Sequence, residues 1–100
     1  MIRLMTGERE SMASQVYTLV KQAIDQADPM RLLATGAPED EYESEIQEIV
    51  GRVGTCMTLE EVQTLVHEVF ATWFDAQLAG SKEQYRVPAQ TIWTGLQRLP

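Results

Sequence analysis

Four segments of this 100-residue sequence carry apolar side chains at the spacing of one helix face, and no segment shows the two-residue alternation of a strand. Glycine and proline separate the segments, because neither residue favours a helix interior. With 44% hydrophobic residues, a chain of this length can bury one modest core. The sequence therefore predicts one all-α domain over residues 1–100, a compact bundle of about four helices with a short helical turn in the first connector. We expect Met1 to Arg9, which show no periodicity, to form a disordered tail.

The first predicted helix extends from about Glu10 to Ala27 and is amphipathic, because its apolar residues fall within one arc of the helix. Asp28-Pro29 ends it, since the residue before a proline is pushed out of the α region and proline cannot continue a helix interior. Asp28 as N-cap and Pro29 as the first helical residue would then open the short turn of the connector, which closes near Gly36.

The second predicted helix follows this connector, and its start has two solutions. Pro38 and the acids after it suit a first helical turn, whereas Ser44 and Gln47 have the spacing of a capping box, which starts the helix later. We favour a start near Glu43 and an end by Gly54.

The third predicted helix begins after Thr58, which forms a capping box with Glu61, and continues to about Leu78. Its apolar residues span more than half of the helix circumference, which indicates a central helix. Gly80 is placed to end this helix in a left-handed conformation. We expect the large aromatic side chains to lie in the core, namely Phe70, Trp73, Phe74 and Trp93.

A fourth predicted helix follows Val87-Pro88 and continues to Leu99. Proline is tolerated in its first turn, where the missing N–H has no helical partner in any case. Gly95 lies inside this helix at a cost of about 1 kcal/mol relative to alanine, which is tolerable where another backbone packs close to it.

The formal net charge is −7, from 15 acidic and 8 basic residues, and it argues against several classes of partner. Nucleic acids and anionic membrane surfaces are bound through Lys and Arg, so an acidic chain is repelled by both. No apolar run reaches the roughly 18 residues needed to cross a bilayer. The single thiol, Cys56, cannot form an intrachain disulfide, and the first residues lack a secretory leader pattern, so we expect a cytoplasmic protein.

Catalytic and metal-binding residues are not indicated by the sequence. His67-Glu68 begins like the zinc-protease motif H-E-x-x-H, but Ala71 stands where the second histidine should be. Cys56 and His67 are too far apart for a nucleophile and its base, because the helix between them rises about 13 Å. We therefore expect packing roles for both side chains, and no enzyme, no metal and no cofactor.

The most informative feature is the segment from Glu39 to Glu48, which holds six acids and no base. It lacks the glycine and the alternating ligands of a calcium loop, and nothing indicates the cleft that paired catalytic carboxylates need. Two interpretations remain: a solvated face at a helix N-terminus, where the macrodipole stabilises acids, or a patch for a basic partner. The candidate partner-binding residues are Glu39, Asp40, Glu41, Tyr42, Glu45 and Glu48.

Two motifs surround this segment, D-P-x-x-L-L at 28–33 and G-A-P-x-D-E-Y at 36–42, and Glu45-Ile46 follows them. In these motifs the sequence resembles a family of small, all-helical bacterial proteins of uncharacterised function, although Glu43-Ser44 stands where relatives often have Asp-Pro. The resemblance implies a cytoplasmic helical fold and a place among bacterial toxin–immunity systems. It supplies no catalytic residue, and it carries over only Asp40, Glu41 and Tyr42 as the core of the motif's role.

These features predict a non-enzymatic protein-binding module of the immunity or inhibitory type. It would use its acidic helix surface to dock and occlude a basic protein partner, such as a nuclease toxin. The alternative is a structural or regulatory helical protein that acts through homodimerisation, with the acids serving only to solvate it. An enzyme is disfavoured, because the residues offer neither a nucleophile–base pair nor a metal cluster.

Overall fold

The computed structural model of the chain describes residues 12–38 and 40–99. Within these ranges the chain is helical and forms no strand, which confirms the all-α fold class. The predicted tail Met1 to Arg9 and the start of the first predicted helix at Glu10 lie outside the described residues. The helices are α1 (Met12–Ala27), α2 (Glu43–Val53), α3 (Leu59–Phe74), α4 (Ala76–Ala79) and α5 (Arg86–Arg98), and a 3-10 turn at Lys82–Tyr85 precedes α5.

Helix α3 is the centre of the bundle, as its wide apolar arc predicts. It packs against α2, α4, α5 and the 3-10 turn, while α1 packs against α2 and α5. The ring of Phe70 is fully buried, and its centroid lies 5.7 Å from that of Tyr42, 5.8 Å from Phe74 and 5.5 Å from Tyr85. The core is completed by aliphatic side chains of four helices, among them Val20, Ile24, Ile46, Ile49, Val62, Val66, Val69 and Ile92.

The starts of α2 and α3 lie at or within one residue of the positions that the sequence indicates. Helix α2 begins at Glu43, but Ser44 does not cap it, and Tyr42 occupies the N-cap position without a side-chain hydrogen bond. Thr58 caps α3 by accepting a hydrogen bond of 3.1 Å from the N–H of Glu61. The side chain of Glu61 reaches back one residue further than a standard capping box, to the N–H of Met57 at 2.6 Å.

The prediction that α3 continues to Leu78 is wrong, because the helix breaks at Asp75. Asp75 has φ 81° and ψ 158°, and its carboxylate accepts the N–H of Leu78 at 3.0 Å, so that it caps the separate short helix α4. A carboxylate that binds the backbone locally competes with helix continuation. Leu78 on α4 is 67% exposed, and Trp73 in the last turn of α3 is 51% exposed. The core prediction is confirmed for Phe70, holds in part for Phe74 and Trp93, which pack against the core, and is wrong for Trp73.

Gly95 of α5 lies directly against a side chain of α1. A Cβ atom built on Gly95 would overlap the side chain of Leu19. The close neighbour is thus a side chain of α1, and not the backbone that the sequence argument expects. The absence of a side chain at this position allows Leu19 to pack directly on α5.

Candidate protein-binding surface

The structure separates the six acids of the Glu39 to Glu48 segment into different environments. Glu39 lies outside the described residues, and Asp40 and Glu41 are exposed just before α2. Glu43 faces α1, where it accepts a hydrogen bond of 2.7 Å from the hydroxyl of Tyr17. That bond and a second one from Gln47 hold the pKa of Glu43 below its usual value. Glu43 therefore connects α2 to α1. Glu45 and Glu48 lie in two further environments, one buried and one at the surface of α2.

Tyr42 lies in the core and organises the connector between α1 and α2. Its side chain is fully buried, and its hydroxyl donates to Oδ1 of Asp28 over 2.6 Å. The same hydroxyl accepts the N–H of Met30 at 3.0 Å and that of Leu32 at 3.4 Å. Burial first, and then the hydrogen bond to the Asp28 carboxylate, raise the pKa of Tyr42 to about 12. The fully buried side chain of Tyr42 is therefore withdrawn from the candidate partner-binding set.

Asp28 does not cap a helical turn that starts at Pro29, as the sequence predicts. Its backbone has a positive φ of 45°, and its carboxylate accepts the N–H groups of Leu33 at 3.0 Å and Ala34 at 2.8 Å. Burial acts to raise the pKa of Asp28, but the hydrogen bonds from Tyr42, Leu33 and Ala34 outweigh it and lower the pKa.

The two motifs of the family resemblance thus meet in space. The aspartate of D-P-x-x-L-L and the tyrosine of G-A-P-x-D-E-Y share one hydrogen bond and together hold the connector. The presence of Asp28 and Tyr42 in the motifs is therefore accounted for by their role in holding the connector backbone, and no binding partner is needed to explain it.

Glu45 is also withdrawn from the surface. Its side chain is 5% exposed, and its Oε1 atom has no hydrogen-bond partner among the described residues. Burial, and in addition the nearby charge of Glu41, raise the pKa of Glu45. Glu41 and Glu45 therefore lie close together, and Glu48 follows one helical turn later on the same side of α2.

Glu48 connects α2 to α3 through an exposed tryptophan. Its Oε1 atom accepts the indole N–H of Trp73 at 2.9 Å, and its Oε2 atom accepts a hydrogen bond of 3.0 Å from Arg52. Arg52 also reaches Glu68 on α3 at 3.4 Å. An aromatic side chain that is half exposed thus lies at one end of the row of acids on α2. We call Asp40, Glu41, Glu48 and Trp73 the acidic face.

Trp73 is the residue of this surface that the sequence reasoning misses. The apolar residues of α3 span more than half of the helix circumference, which is wider than the apolar stripe of an ordinary surface helix. That excess width was an available signal that one large side chain of α3 would remain exposed. The pattern does not identify the exposed residue, because that depends on where α2 and α4 pack.

His67 and Cys56 lie in packing environments. His67 Nε2 is 2.9 Å from the carbonyl oxygen of Gly80, and its ring lies 5.5 Å from that of Tyr85. Cys56 lines a shallow cavity of about 300 Å³, and burial raises the pKa of its thiol, which disfavours the nucleophilic thiolate. Among the described residues, no three His, Cys, Asp or Glu side chains are grouped so that they could hold a metal ion. No helix in the same residues has the length and apolarity needed to cross a membrane.

Comparison with protein-family models, curated proteins and solved structures finds no significant match to this chain.

Proposed function

We propose that this protein is a non-enzymatic binding module of the immunity or inhibitory type, which docks a basic protein partner on its acidic face and occludes it. A nuclease toxin is a partner of the right chemistry, because its own substrate demands a basic surface. The site of action that fits a chain with a single cysteine is the cytoplasm.

One observation carries the proposal. Asp40 and Glu41 are exposed and form no ion pair with any described residue, while the hydrophobic side chain of Trp73 is exposed beside the third acid of the face, Glu48. Unpaired acids on the same face as an exposed aromatic residue suit an interface with a basic partner, since the charges accelerate encounter and an aromatic side chain supplies contact area.

The proposal is tested by charge reversal with a matched control. The test variant is Asp40→Lys with Glu41→Lys, whose side chains make no hydrogen bond in the described structure. The control is Glu60→Lys with Glu83→Lys, which changes the net charge equally at exposed positions outside the acidic face and also removes one exposed ion pair, from Lys82 to Glu60 at 3.4 Å. Glu60 lies in the first turn of α3, roughly 20 Å along the helix from Trp73.

The assay uses the basic proteins encoded beside this chain's gene, expressed singly, with their nuclease activity measured in the presence of each variant at low salt. We expect the wild type and the control to inhibit one of them, and the test variant to bind it about tenfold or more weakly. If no such protein is inhibited, or if the test variant inhibits as well as the control, the proposal is refuted.

Homodimerisation is the second candidate function, and a different observation favours it. Leu78 and Val87 are 67% and 68% exposed, and a second copy of the chain would shield such side chains from water. Sedimentation equilibrium distinguishes the two states, because a mass of 11.3 kDa at high concentration excludes the dimer.

A further inference from the structure

The exposed Trp73 is oriented by a hydrogen bond to a neighbouring helix. Its indole N–H donates to Glu48, and Glu48 is itself held by Arg52, which also contacts Glu68. The indole N–H, the only hydrogen-bond donor of the ring, thus already has its acceptor within the protein. About half of the side chain remains exposed to solvent, and the part of the ring that a ligand can still use is its apolar π surface.

The surroundings of this ring select the charge of a ligand. Glu48 contacts the indole directly. Glu48 and Glu68 share the single positive charge of Arg52, which leaves one net negative charge beside the ring, and the exposed Glu41 lies seven residues before Glu48 on the same side. A cation placed on the indole face is attracted both by the ring quadrupole and by these carboxylates. An anionic ligand would be repelled by the same groups, and a neutral apolar ligand would gain nothing from them.

The planar shape of the ring selects between the two basic side chains. A guanidinium group is planar, is weakly hydrated and stacks on an aromatic face while its N–H groups bind carboxylates beside the ring. A lysine ammonium is a strongly hydrated point charge that gains less from stacking. Trp73 beside Glu48 therefore suits arginine better than lysine.

We infer that Trp73 is the anchor of the acidic face and receives an arginine side chain of the partner. The inference rests on the proposed function, which it deepens: the carboxylates attract any basic protein, whereas the held indole ring makes the surface prefer one that presents arginine.

The test uses capped hexa-arginine and hexa-lysine peptides as probes. In a Trp93→Phe protein, Trp73 is the only tryptophan, so its fluorescence reports directly on this site. We expect saturable quenching by both peptides at low salt, with the arginine peptide binding about fivefold more tightly. In a Trp73→Leu protein, calorimetry should show that the arginine peptide has lost this advantage, because its affinity falls by more than that of the lysine peptide. Unfolding in urea checks that the leucine variant is folded.

Equal affinities for the two peptides would overturn the inference, as would an arginine preference that persists in Trp73→Leu or the absence of saturable binding. These outcomes leave the inhibition assay of the proposed function untouched. Conversely, an arginine preference that needs Trp73 but survives Asp40→Lys with Glu41→Lys supports the anchor and contradicts docking by those acids.

Discussion

Replacing Tyr42 with phenylalanine removes one oxygen atom and leaves the ring in the core, so it tests the hydrogen bonds of the connector alone. The hydroxyl donates to the carboxylate of Asp28 and accepts from Met30 and, over a longer distance of 3.4 Å, from Leu32. A hydrogen bond to a charged group contributes about 1.5–3 kcal/mol, and a buried N–H left without an acceptor costs about 1–3 kcal/mol. Because water can reach part of this connector, we expect Tyr42→Phe to lower the free energy of unfolding by about 2–4 kcal/mol.

The size of this effect depends on pH through Asp28. Its pKa is lower in the folded protein than in the unfolded chain, so its contribution to stability is present above the unfolded pKa of about 4 and is lost as the pH falls through the folded pKa. Tyr42→Phe removes one hydrogen bond that lowers this pKa. The difference in unfolding free energy between wild type and variant should therefore be largest above about pH 5 and shrink below about pH 4.

The measurement is urea unfolding followed by far-UV circular dichroism, repeated from neutral pH down to about pH 3. Tyr85→Phe is the matched control: its ring is also fully buried, and its hydroxyl donates at 2.6 Å to a neutral acceptor, the carbonyl of Ala79. We expect the control to cost about 1 kcal/mol at every pH, because its acceptor does not titrate in this range. The reasoning is refuted if Tyr42→Phe costs no more than the control, or if its cost does not change with pH.

Three further substitutions test other parts of the structure by urea unfolding. Asp75→Gly should stabilise the protein by about 1 kcal/mol, because glycine adopts φ 81° and ψ 158° without the strain that aspartate bears there; a loss of stability would contradict this. Glu45→Gln should raise the free energy of unfolding at neutral pH, because the pKa of Glu45 is raised in the folded protein and only the ionised carboxylate is penalised by burial. This gain should be lost as the pH falls toward 4.5, the pKa in the unfolded chain, and a gain independent of pH would exclude the charge as its cause. Gly95→Ala should add up to about 1 kcal/mol of helix propensity only when Leu19→Ala is also present, and equal effects in both backgrounds would show that Leu19 does not crowd this position.

Much of the fold follows from interactions between residues that are near neighbours in the chain. The bounds of α2, the Thr58 cap of α3 and the central place of α3 could be read from caps, breaks and apolar spacing. Such signals are local, since a cap spans about three residues and a helix face repeats every 3.6 residues. The break at Asp75 is the exception, because the apolar spacing also fits an uninterrupted α3, whereas the Asp75 carboxylate binds the N–H of Leu78 and caps a separate helix.

The composition of the acidic face could not be read in this way. The sequence places six acids in one segment, but their environments depend on which helix covers them. Tyr42 binds Asp28 across the connector, Glu45 is buried, and Trp73 is exposed beside Glu48, which is 25 residues away in the chain. Apolar spacing indicates how much of a helix surface can be buried. Which side chains are actually buried depends on the positions of the neighbouring helices. Those positions arise only when all the helices pack together and each polar group finds its partner.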